Sequence, residues 1–253
     1  METNNSLTNK QSSLVAESAQ YTYTQTRIQT PENKQLVENR IITGIKPGKW
    51  LESYKMLRTR CLHFMDAMNW STLAITSPTE GSGNTLTAVN LSISIAMELS
   101  RSVLLVDANF QNPSVCKLLG LKTEMGLSDY LINDIPLNEL LVNPDIDRLV
   151  ILPSGNDVFN STELLRSPKM LNLVTELKNR YPSRIIIFDL PALLTQADTL
   201  GFAPHVDCLL LVTSEGFTKI DDLKQAAELL KDINILGTVL NKATDNKIKF
   251  ENN

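Results

Sequence analysis

The amino-acid sequence predicts an α/β protein built on a doubly wound, mainly parallel sheet. Six short apolar runs, rich in Ile, Val and Leu, alternate with longer amphipathic stretches. The runs are almost continuously apolar instead of alternating, which is typical of strands covered on both faces. Because parallel strands need crossover connections, helices on both sides of the sheet are expected. In such sheets, ligands bind beyond the carboxyl ends of the strands.

The predicted domain organisation follows from the point in the chain after which large apolar residues become frequent. Residues 1–40 are rich in Asn, Gln, Thr and Ser, so this segment cannot bury enough surface to offset its ordering entropy. We predict a flexible N-terminal arm over residues 1–40, one domain over residues 41–245 and a short C-terminal tail over residues 246–253.

Within the domain, each element is predicted from its own apolar pattern. The first helix lies in GKWLESYKMLRTRCLHFM, where apolar side chains recur at helical spacing: Leu51, Tyr54, Leu57, Cys61, and Phe64 or Met65. The strands are LAIT, VLLVD, LVILP, IIIFD, CLLLVT and ILGTVL, each too short for a buried helix. Further helices are predicted in TLTAVNLSISIAMEL, SPKMLNLVTELKNRY and KIDDLKQAAELLKDI.

Composition argues against several classes of protein. The formal net charge of -4 gives no overall attraction to nucleic acid or to an anionic membrane, so no nucleic-acid partner is expected. No apolar run approaches the ~20 residues of a membrane span, and the N-terminus lacks the apolar core of a signal peptide. Cys61, Cys116 and Cys208 form no CxxC pair, which indicates neither a zinc site nor a disulfide framework. The sequence predicts a cytoplasmic protein that reaches a membrane only through a partner.

The polar residues that suggest chemistry follow the strand ends. The loop SPTEGSGNT joins LAIT to the next helix, Asp107 ends VLLVD, and Asp189 ends IIIFD. A loop before a helix N-terminus offers unpaired backbone N–H groups and the positive end of the helix dipole to a phosphate. Gly81 and Gly83 let the backbone approach closely, and the Thr85 hydroxyl is placed to bind a magnesium ion together with the two carboxylates. The set predicts a nucleotide site.

With these motifs in place, the chain resembles a known family. The runs ESYKMLRTR, SPTEGSGNTLTAVNLSISIA, VLLVDANFQNPSV, GLSDYL, LVILPSG, IIIFDLPALLTQADTL, VDCLLLV and GTVLNK resemble, in this order, the cytoplasmic kinase domain of bacterial tyrosine kinases of exopolysaccharide and capsule synthesis. These kinases are relatives of the ParA/MinD-type P-loop ATPases. The resemblance covers about residues 40–243, and its SPKM and LKNRYPSRIIIFDLP segments look most like the exosortase-associated variant. It implies the three-layer α/β/α sandwich of the P-loop NTPases.

The family motifs carry over residue by residue. The Walker A motif, usually ending Gly-Glu-Gly-Lys-Thr, implies nucleotide contacts at Gly81, Ser82, Gly83, Asn84, Thr85 and Leu86. The second motif, Asp-x-Asp-x-Arg, falls on Asp107, Asn109 and Gln111. The Walker B motif is intact at Asp189 and Pro191. The resemblance implies ATP or ADP as ligand, catalytic roles for Asp107 and Asp189, and a Mg²⁺ ion bound by Thr85 and these two aspartates.

The resemblance also implies partners. The oligomerising helix of the family, Glu-x-x-Arg-x-x-Arg, falls on Glu52, Lys55 and Arg58, which are therefore expected to mediate self-association. A membrane polysaccharide co-polymerase, or chain-length protein, is the expected membrane partner. The family's tyrosine-rich tail corresponds here to NKATDNKIKFENN, which has no tyrosine. Tyr21 and Tyr23 in the N-terminal arm are candidate replacements, although two tyrosines in a flexible arm are usually incidental.

Three substitutions bear on the chemistry of this site. A lysine at position 84 would place a positive charge against the phosphates, whereas Asn84 offers a neutral amide. Charge-assisted hydrogen bonds are worth about 1.5–3 kcal/mol and neutral ones about 1 kcal/mol, so nucleotide affinity is expected to fall at least about tenfold. Asn109 stands where the family motif has a carboxylate, and Gln111 stands where it has an arginine. The loop itself contains neither Lys nor Arg. Losing one group that stabilises a phosphoryl-transfer transition state typically costs about a hundred- to a thousandfold in rate.

The sequence therefore supports three hypotheses. The first is a degenerate kinase-like protein in the regulation or assembly of exopolysaccharide synthesis and export, with lost or much reduced activity. The second is an active protein-tyrosine kinase completed by a partner or neighbouring subunit, with Arg58 or Arg60 as the candidate cation. The third is a ParA/MinD-type positioning ATPase, which the net charge and the missing signature lysine disfavour. Whether nucleotide binds is left open.

Overall fold

The fold is built on one eight-stranded sheet. The computed structural model describes residues 26–42, 49–156, 158–180 and 183–244. The strands are β1 (Arg27–Ile28), β2 (Thr72–Thr76), β3 (Ser102–Asp107), β4 (Val142–Asn143), β5 (Leu149–Leu152), β6 (Arg184–Asp189), β7 (Cys208–Ser214) and β8 (Ile235–Asn241). Their order across the sheet is β1-β4-β5-β3-β6-β2-β7-β8, and only the β4–β5 pairing is antiparallel. The predicted mainly parallel sheet is confirmed.

Helices flank this sheet in the described part of the chain. They are α1 (Asn33–Glu38), α2 (Lys49–Ala67), α3 (Asn84–Ala96), α4 (Val115–Leu119), α5 (Leu127–Asn133), α6 (Leu137–Leu140), α7 (Ser161–Leu165), α8 (Pro168–Arg180), α9 (Asp198–Phe202) and α10 (Ile220–Leu229). The four helices predicted from the sequence correspond to α2, α3, α8 and α10. No helix among the described residues is both long and apolar enough to cross a bilayer.

The core consists of two apolar layers, one on each face of the sheet. Successive residues of the central strands point to opposite layers, so Leu73 packs with the α2–α3 layer and Ala74 with the layer that contains α8. At the end of α2, Met65 is fully buried and Phe64 is 54% exposed, which decides between the two predicted alternatives. The two-sided burial explains why the central strands read as continuous apolar runs.

The edge strand β8 differs from the prediction. Its run ILGTVL suggested a strand covered on both faces, but every residue of β8 is exposed or half-buried. Among the described residues β8 pairs only with β7, and Leu240 is 56% exposed. The Ile, Leu and Val residues of β8 favour extended structure, so the apolar composition of this run predicts a strand without predicting that the strand is buried.

Residues 26–40, which the sequence analysis assigned to the arm, are elements of the fold in this structure. β1 pairs in parallel with β4, and α1 packs against α4 through the buried side chain of Leu36. The backbone N–H of Ile42 donates to Asn90 Oδ1 on α3 at 2.8 Å. Strands of two residues and a helix of six carry too few apolar residues to produce a recognisable pattern, which is why the sequence did not predict them.

Two of the predicted segments fall outside the described residues. They are the first part of the predicted arm, over residues 1–25, which contains Tyr21 and Tyr23, and the tail over residues 246–253. The predictions for these segments therefore stay predictions.

Candidate functional site

The loop between β2 and α3 forms the centre of the candidate site. The strand ends at Thr76 and the helix begins at Asn84. Gly81 (φ 74°) and Gly83 (φ 92°) occupy the left-handed region, which residues with a side chain rarely adopt. A Cβ atom at Gly83 would also lie 2.1 Å from Asn241 Nδ2 of β8. Both the turn and the close approach of β8 therefore require glycine here.

The first turn of α3 lines a cavity of about 350 Å³. Seven of the motif residues named from the sequence line this cavity: Gly81, Gly83, Asn84, Thr85, Leu86, Asn109 and Pro191. Ser82 does not line it, because its side chain is buried and donates to the Thr79 carbonyl at 3.0 Å. The N-terminal N–H groups of a 13-residue helix thus lie beside a cavity, which is the arrangement that binds phosphate.

Asp107 and Asp189 lie side by side at the carboxyl ends of β3 and β6, as partners in the strand register. The Asp107 carboxylate accepts backbone N–H groups from Asn109 at 3.3 Å and from Ser114 and Val115 at 3.1 Å. Burial nevertheless raises the pKa of Asp107 to about 6, because loss of hydration outweighs these three hydrogen bonds.

Asp189 is fully buried and only partly satisfied. Its Oδ1 accepts a hydrogen bond from Asn84 Nδ2 at 3.2 Å, while its Oδ2 has no hydrogen-bond partner among the described residues. Burial, and next the charge of Asp107, raise the pKa of Asp189 well above its usual range, and the side chains of Thr85 and Asn84 partly offset this. A buried carboxylate oxygen without a partner is unfavourable unless a proton or a cation accompanies it.

The unpartnered oxygen of Asp189 and the neighbouring Thr85 hydroxyl are compatible with a Mg²⁺ ion, whereas both oxygens of Asp107 already accept backbone N–H groups. Mg²⁺ is usually bound by one or two carboxylates, with water and substrate phosphates completing its octahedral shell. The unpartnered Asp189 Oδ2 offers one such ligand, and Thr85 lies beside the same carboxylate. The described residues contain no cluster of three or more His, Cys, Asp or Glu side chains, so an ion here would take its remaining ligands from water and nucleotide. The assignment of Thr85, Asp107 and Asp189 as metal ligands stays a prediction.

Asn84 connects the loop to the end of β6. Its Nδ2 donates to the Leu190 carbonyl at 2.8 Å and to Asp189 Oδ1 at 3.2 Å. Its Oδ1 accepts a hydrogen bond from the Ser77 hydroxyl at 3.3 Å. The side chain that replaces the expected lysine is therefore a neutral amide that hydrogen bonds with protein groups on both of its polar atoms.

The two substituted positions of the second motif serve local structure. Asn109 Oδ1 accepts the backbone N–H of Asn112 at 3.2 Å, which closes the turn after β3. Gln111 is exposed, does not line the cavity, and donates from Nε2 to Ser161 Oγ at 3.4 Å. Neither side chain brings charge to the site.

The predicted oligomerising helix is α2. Glu52 and Lys55 form an exposed ion pair with atoms 2.7 Å apart. Arg58, by contrast, packs against its own chain: Nε lies 3.0 Å from Glu98 Oε1, and Nη1 donates to the Ser94 carbonyl at 2.9 Å. Of the three predicted residues, Glu52 and Lys55 remain exposed for a neighbouring subunit, and self-association stays a prediction.

Sequence reasoning missed three residues around the loop. Asn241 Nδ2 donates to the Ser82 carbonyl at 2.9 Å, and Lys242 Nζ donates to the Gly81 carbonyl at 2.7 Å. These two residues follow the strand run ILGTVL, so the rule that polar groups gather at the carboxyl ends of strands could have found them. The third, Lys117, lines the cavity from α4, and no spacing rule marks it.

Comparisons with known proteins agree with this geometry. Residues 71–243 match a protein-family model described as an AAA domain. The crystal structure of the chimerical protein CapA2B2 superimposes with a TM-score of 0.73 at 24% identity and covers 83% of this chain and 91% of that chain, which shows the fold alone. The fold and the phosphate loop define a P-loop NTPase of the AAA-domain type.

The relatives narrow the class to a family. The tyrosine-protein kinase CpsD of Streptococcus agalactiae serotype Ia is 31% identical over 178 residues, which cover 68% of this chain and 75% of that protein. The succinoglycan biosynthesis transport protein ExoP of Rhizobium meliloti is 27% identical over 216 residues, 83% of this chain, although the chain spans only 27% of ExoP. Within the P-loop class, the chain belongs to the family of the bacterial tyrosine-protein kinases.

Proposed function

We propose that this chain is a degenerate, tyrosine-kinase-like P-loop protein that acts in the regulation or assembly of exopolysaccharide or capsule biosynthesis and export. Asn84 is the observation that carries the proposal. Its amide is hydrogen bonded to Asp189 and Leu190, and it brings no positive charge to the cavity. Family membership and the name of ExoP as a succinoglycan biosynthesis transport protein support the biological process.

The site keeps the groups that bind a nucleotide and lacks the usual group that stabilises phosphoryl transfer. The backbone N–H groups at the start of α3 would hold the phosphates, and Thr85, Asp107 and Asp189 would hold Mg²⁺. When bound, Mg²⁺ would neutralise part of the phosphate charge. Without a lysine at position 84, negative charge that develops on the phosphates during transfer is less stabilised, so we expect binding with little or no turnover.

The proposed partners follow from the family. We infer a membrane polysaccharide co-polymerase as the partner that brings this chain to the inner face of the cell membrane. Self-association would use the exposed part of α2, with Glu52 and Lys55 at the contact. A mixture of this chain with such a membrane protein should form a complex in size-exclusion chromatography.

Calorimetric titration with Mg-ADP and Mg-ATP tests the nucleotide site. Wild type is expected to bind weakly, and Asn84→Lys to bind about tenfold more tightly because it adds a charge-assisted contact. Gln225→Lys adds the same charge on the exposed face of α10 and should leave the affinity unchanged. Absence of binding by both wild type and Asn84→Lys would refute the nucleotide site.

Autophosphorylation tests the loss of activity. Purified protein incubated with Mg-ATP should show no phosphotyrosine above the background of the Thr85→Ala variant. Strong phosphotyrosine on wild type that disappears in Thr85→Ala would show an active kinase and overturn the degenerate assignment.

A further inference from the structure

The cavity beside the phosphate loop contains a positively charged side chain that none of the sequence motifs uses. Lys117 of α4 lines the same cavity as Asn84 and Thr85. Among the described residues that line it, Lys117 is the only cation and Glu80 the only anion. The Lys117 side chain is exposed, and no ion pair within the described ranges involves it. Its ammonium group can therefore approach a ligand in the cavity without first breaking an ion pair.

The backbone that carries Lys117 is held at both ends of α4. At the start of the helix, Asp107 Oδ2 accepts the backbone N–H of Val115 at 3.1 Å. Towards its end, Gln35 Nε2 of α1 donates to the backbone carbonyl of Lys117 at 3.2 Å. Gly120 follows α4 with a φ of 70°, in the left-handed region that favours glycine, and Gln35 Oε1 lies 2.5 Å from where its Cβ atom would be. Only the flexible side chain of Lys117 then has to move to contact a ligand.

We propose that Lys117 supplies the positive charge for the phosphates of a nucleotide in this cavity, in place of the lysine that Asn84 replaces. The inference rests on the nucleotide site proposed above. Asn84 already donates its amide to Asp189 and Leu190, so the phosphates receive no positive side-chain charge from the loop, whose one charged side chain at the cavity is the anion Glu80. A lysine ammonium is a compact point charge on a mobile stem, which suits a phosphate that α3 has already positioned.

A second lysine near the loop, Lys242, already contacts other groups of the protein. Lys242 Nζ donates to the Gly81 carbonyl at 2.7 Å and lies 5.4 Å from the ring centroid of Phe217. It does not line the cavity. Lys242 therefore fixes the backbone of the loop, whereas Lys117 lines the cavity that would hold the phosphates.

Titration of Mg-ADP into single variants tests the proposal. Lys117→Gln keeps the length of the side chain without its charge and should weaken Mg-ADP binding about tenfold, the difference between a charge-assisted and a neutral contact. Lys117→Arg keeps the charge and should stay within about threefold of wild type. Lys122→Gln removes an exposed lysine from the same segment, outside this cavity, and should leave the affinity unchanged.

Two further measurements separate a phosphate contact from a general change in the cavity. Adenosine carries no phosphate, so its affinity should be equal in wild type and Lys117→Gln. In an Asn84→Lys background, Lys117→Gln should weaken Mg-ADP binding less than it does in wild type, because the introduced ammonium supplies the same charge.

The possible results distinguish this proposal from the nucleotide site itself. Equal Mg-ADP affinities of wild type and Lys117→Gln would overturn the role of Lys117 and leave the site intact. Binding of Mg-ADP by Asn84→Lys but not by wild type would likewise overturn the role of Lys117 and leave the nucleotide site intact. An equal loss in Lys122→Gln, or a parallel loss of adenosine binding, would also overturn it. No binding by either wild type or Asn84→Lys would overturn both proposals.

Discussion

At the scale of single residues, the substitution of lysine by Asn84 changes the folded protein as well as its chemistry. A lysine ammonium would be attracted to the buried carboxylates, whereas the asparagine amide donates to Asp189 and to the Leu190 carbonyl and accepts from Ser77. The side chain is only 9% exposed, so water cannot readily replace these bonds. The amide thus stabilises the loop against β6 without a ligand.

We predict that Asn84→Ala lowers the free energy of unfolding of the ligand-free protein by about 1–3 kcal/mol, since it leaves a buried carbonyl and a carboxylate oxygen without their donor. Asn112→Ala is the matched control, because Asn112 is exposed and its side chain bonds to no other described residue; it should change stability by less than about 0.5 kcal/mol. Urea denaturation followed by circular dichroism measures both. Equal effects of the two changes would contradict the structural role of Asn84.

Some residues of this site could be predicted from the sequence and others could not. Asp107 and Asp189 could be predicted because each is the last residue of a strand, and the parallel register then places them together. The hydrogen bonds of the Asn84 side chain could not be predicted, because comparison with a motif shows which residue is substituted but not which groups its side chain contacts. Lys117 was missed because its place depends on how α4 packs, which no local pattern encodes.

At the scale of elements, α1 is the part of the fold that the sequence assigned least well. Its residues look polar, but Leu36 is only 7% exposed and packs on the α2–α3 layer, next to α4. Asn39 Nδ2 also donates to the Leu118 carbonyl at 2.8 Å. A short helix of this kind is stable only through its tertiary contacts, so propensity alone could not reveal it.

We predict that Leu36→Ala lowers the free energy of unfolding by about 2–4 kcal/mol, through lost burial and the cavity left behind. Val37→Ala is the control on the same helix, because Val37 is 57% exposed, and its effect should stay below about 0.5 kcal/mol. Thermal and urea denaturation measure the two variants in parallel. If Leu36→Ala were as harmless as Val37→Ala, the docking of α1 seen here would not exist in solution.

At the scale of the whole molecule, the pair of buried carboxylates links stability to pH. The pKa of Asp107 is raised to about 6 by burial, so the folded protein binds more protons than the unfolded chain between about pH 4 and 6. Stability therefore falls as pH rises through this window. The raised pKa of Asp189 acts in the same direction.

We predict that the ligand-free protein becomes less stable towards unfolding as pH rises from about 4 to 6.5, and that Asp107→Asn flattens this dependence because it removes a titrating group. Asp221→Asn, on the exposed face of α10, should keep the wild-type profile. Urea midpoints at half-unit pH intervals measure the three proteins. A stability that rises over this range would contradict the raised pKa of Asp107.

The strand order has a consequence for how the protein is made. Of the seven pairings in the described sheet, only β4 with β5 and β7 with β8 join strands that are consecutive in the chain. β2, which carries the phosphate loop, is flanked by β6 and β7, more than 100 residues further along. During synthesis the loop therefore stays without its supporting neighbours until residue 214 has left the ribosome. The loop therefore acquires its neighbours only after β6 and β7 have been synthesised, and the proposed nucleotide site can form only from that point on.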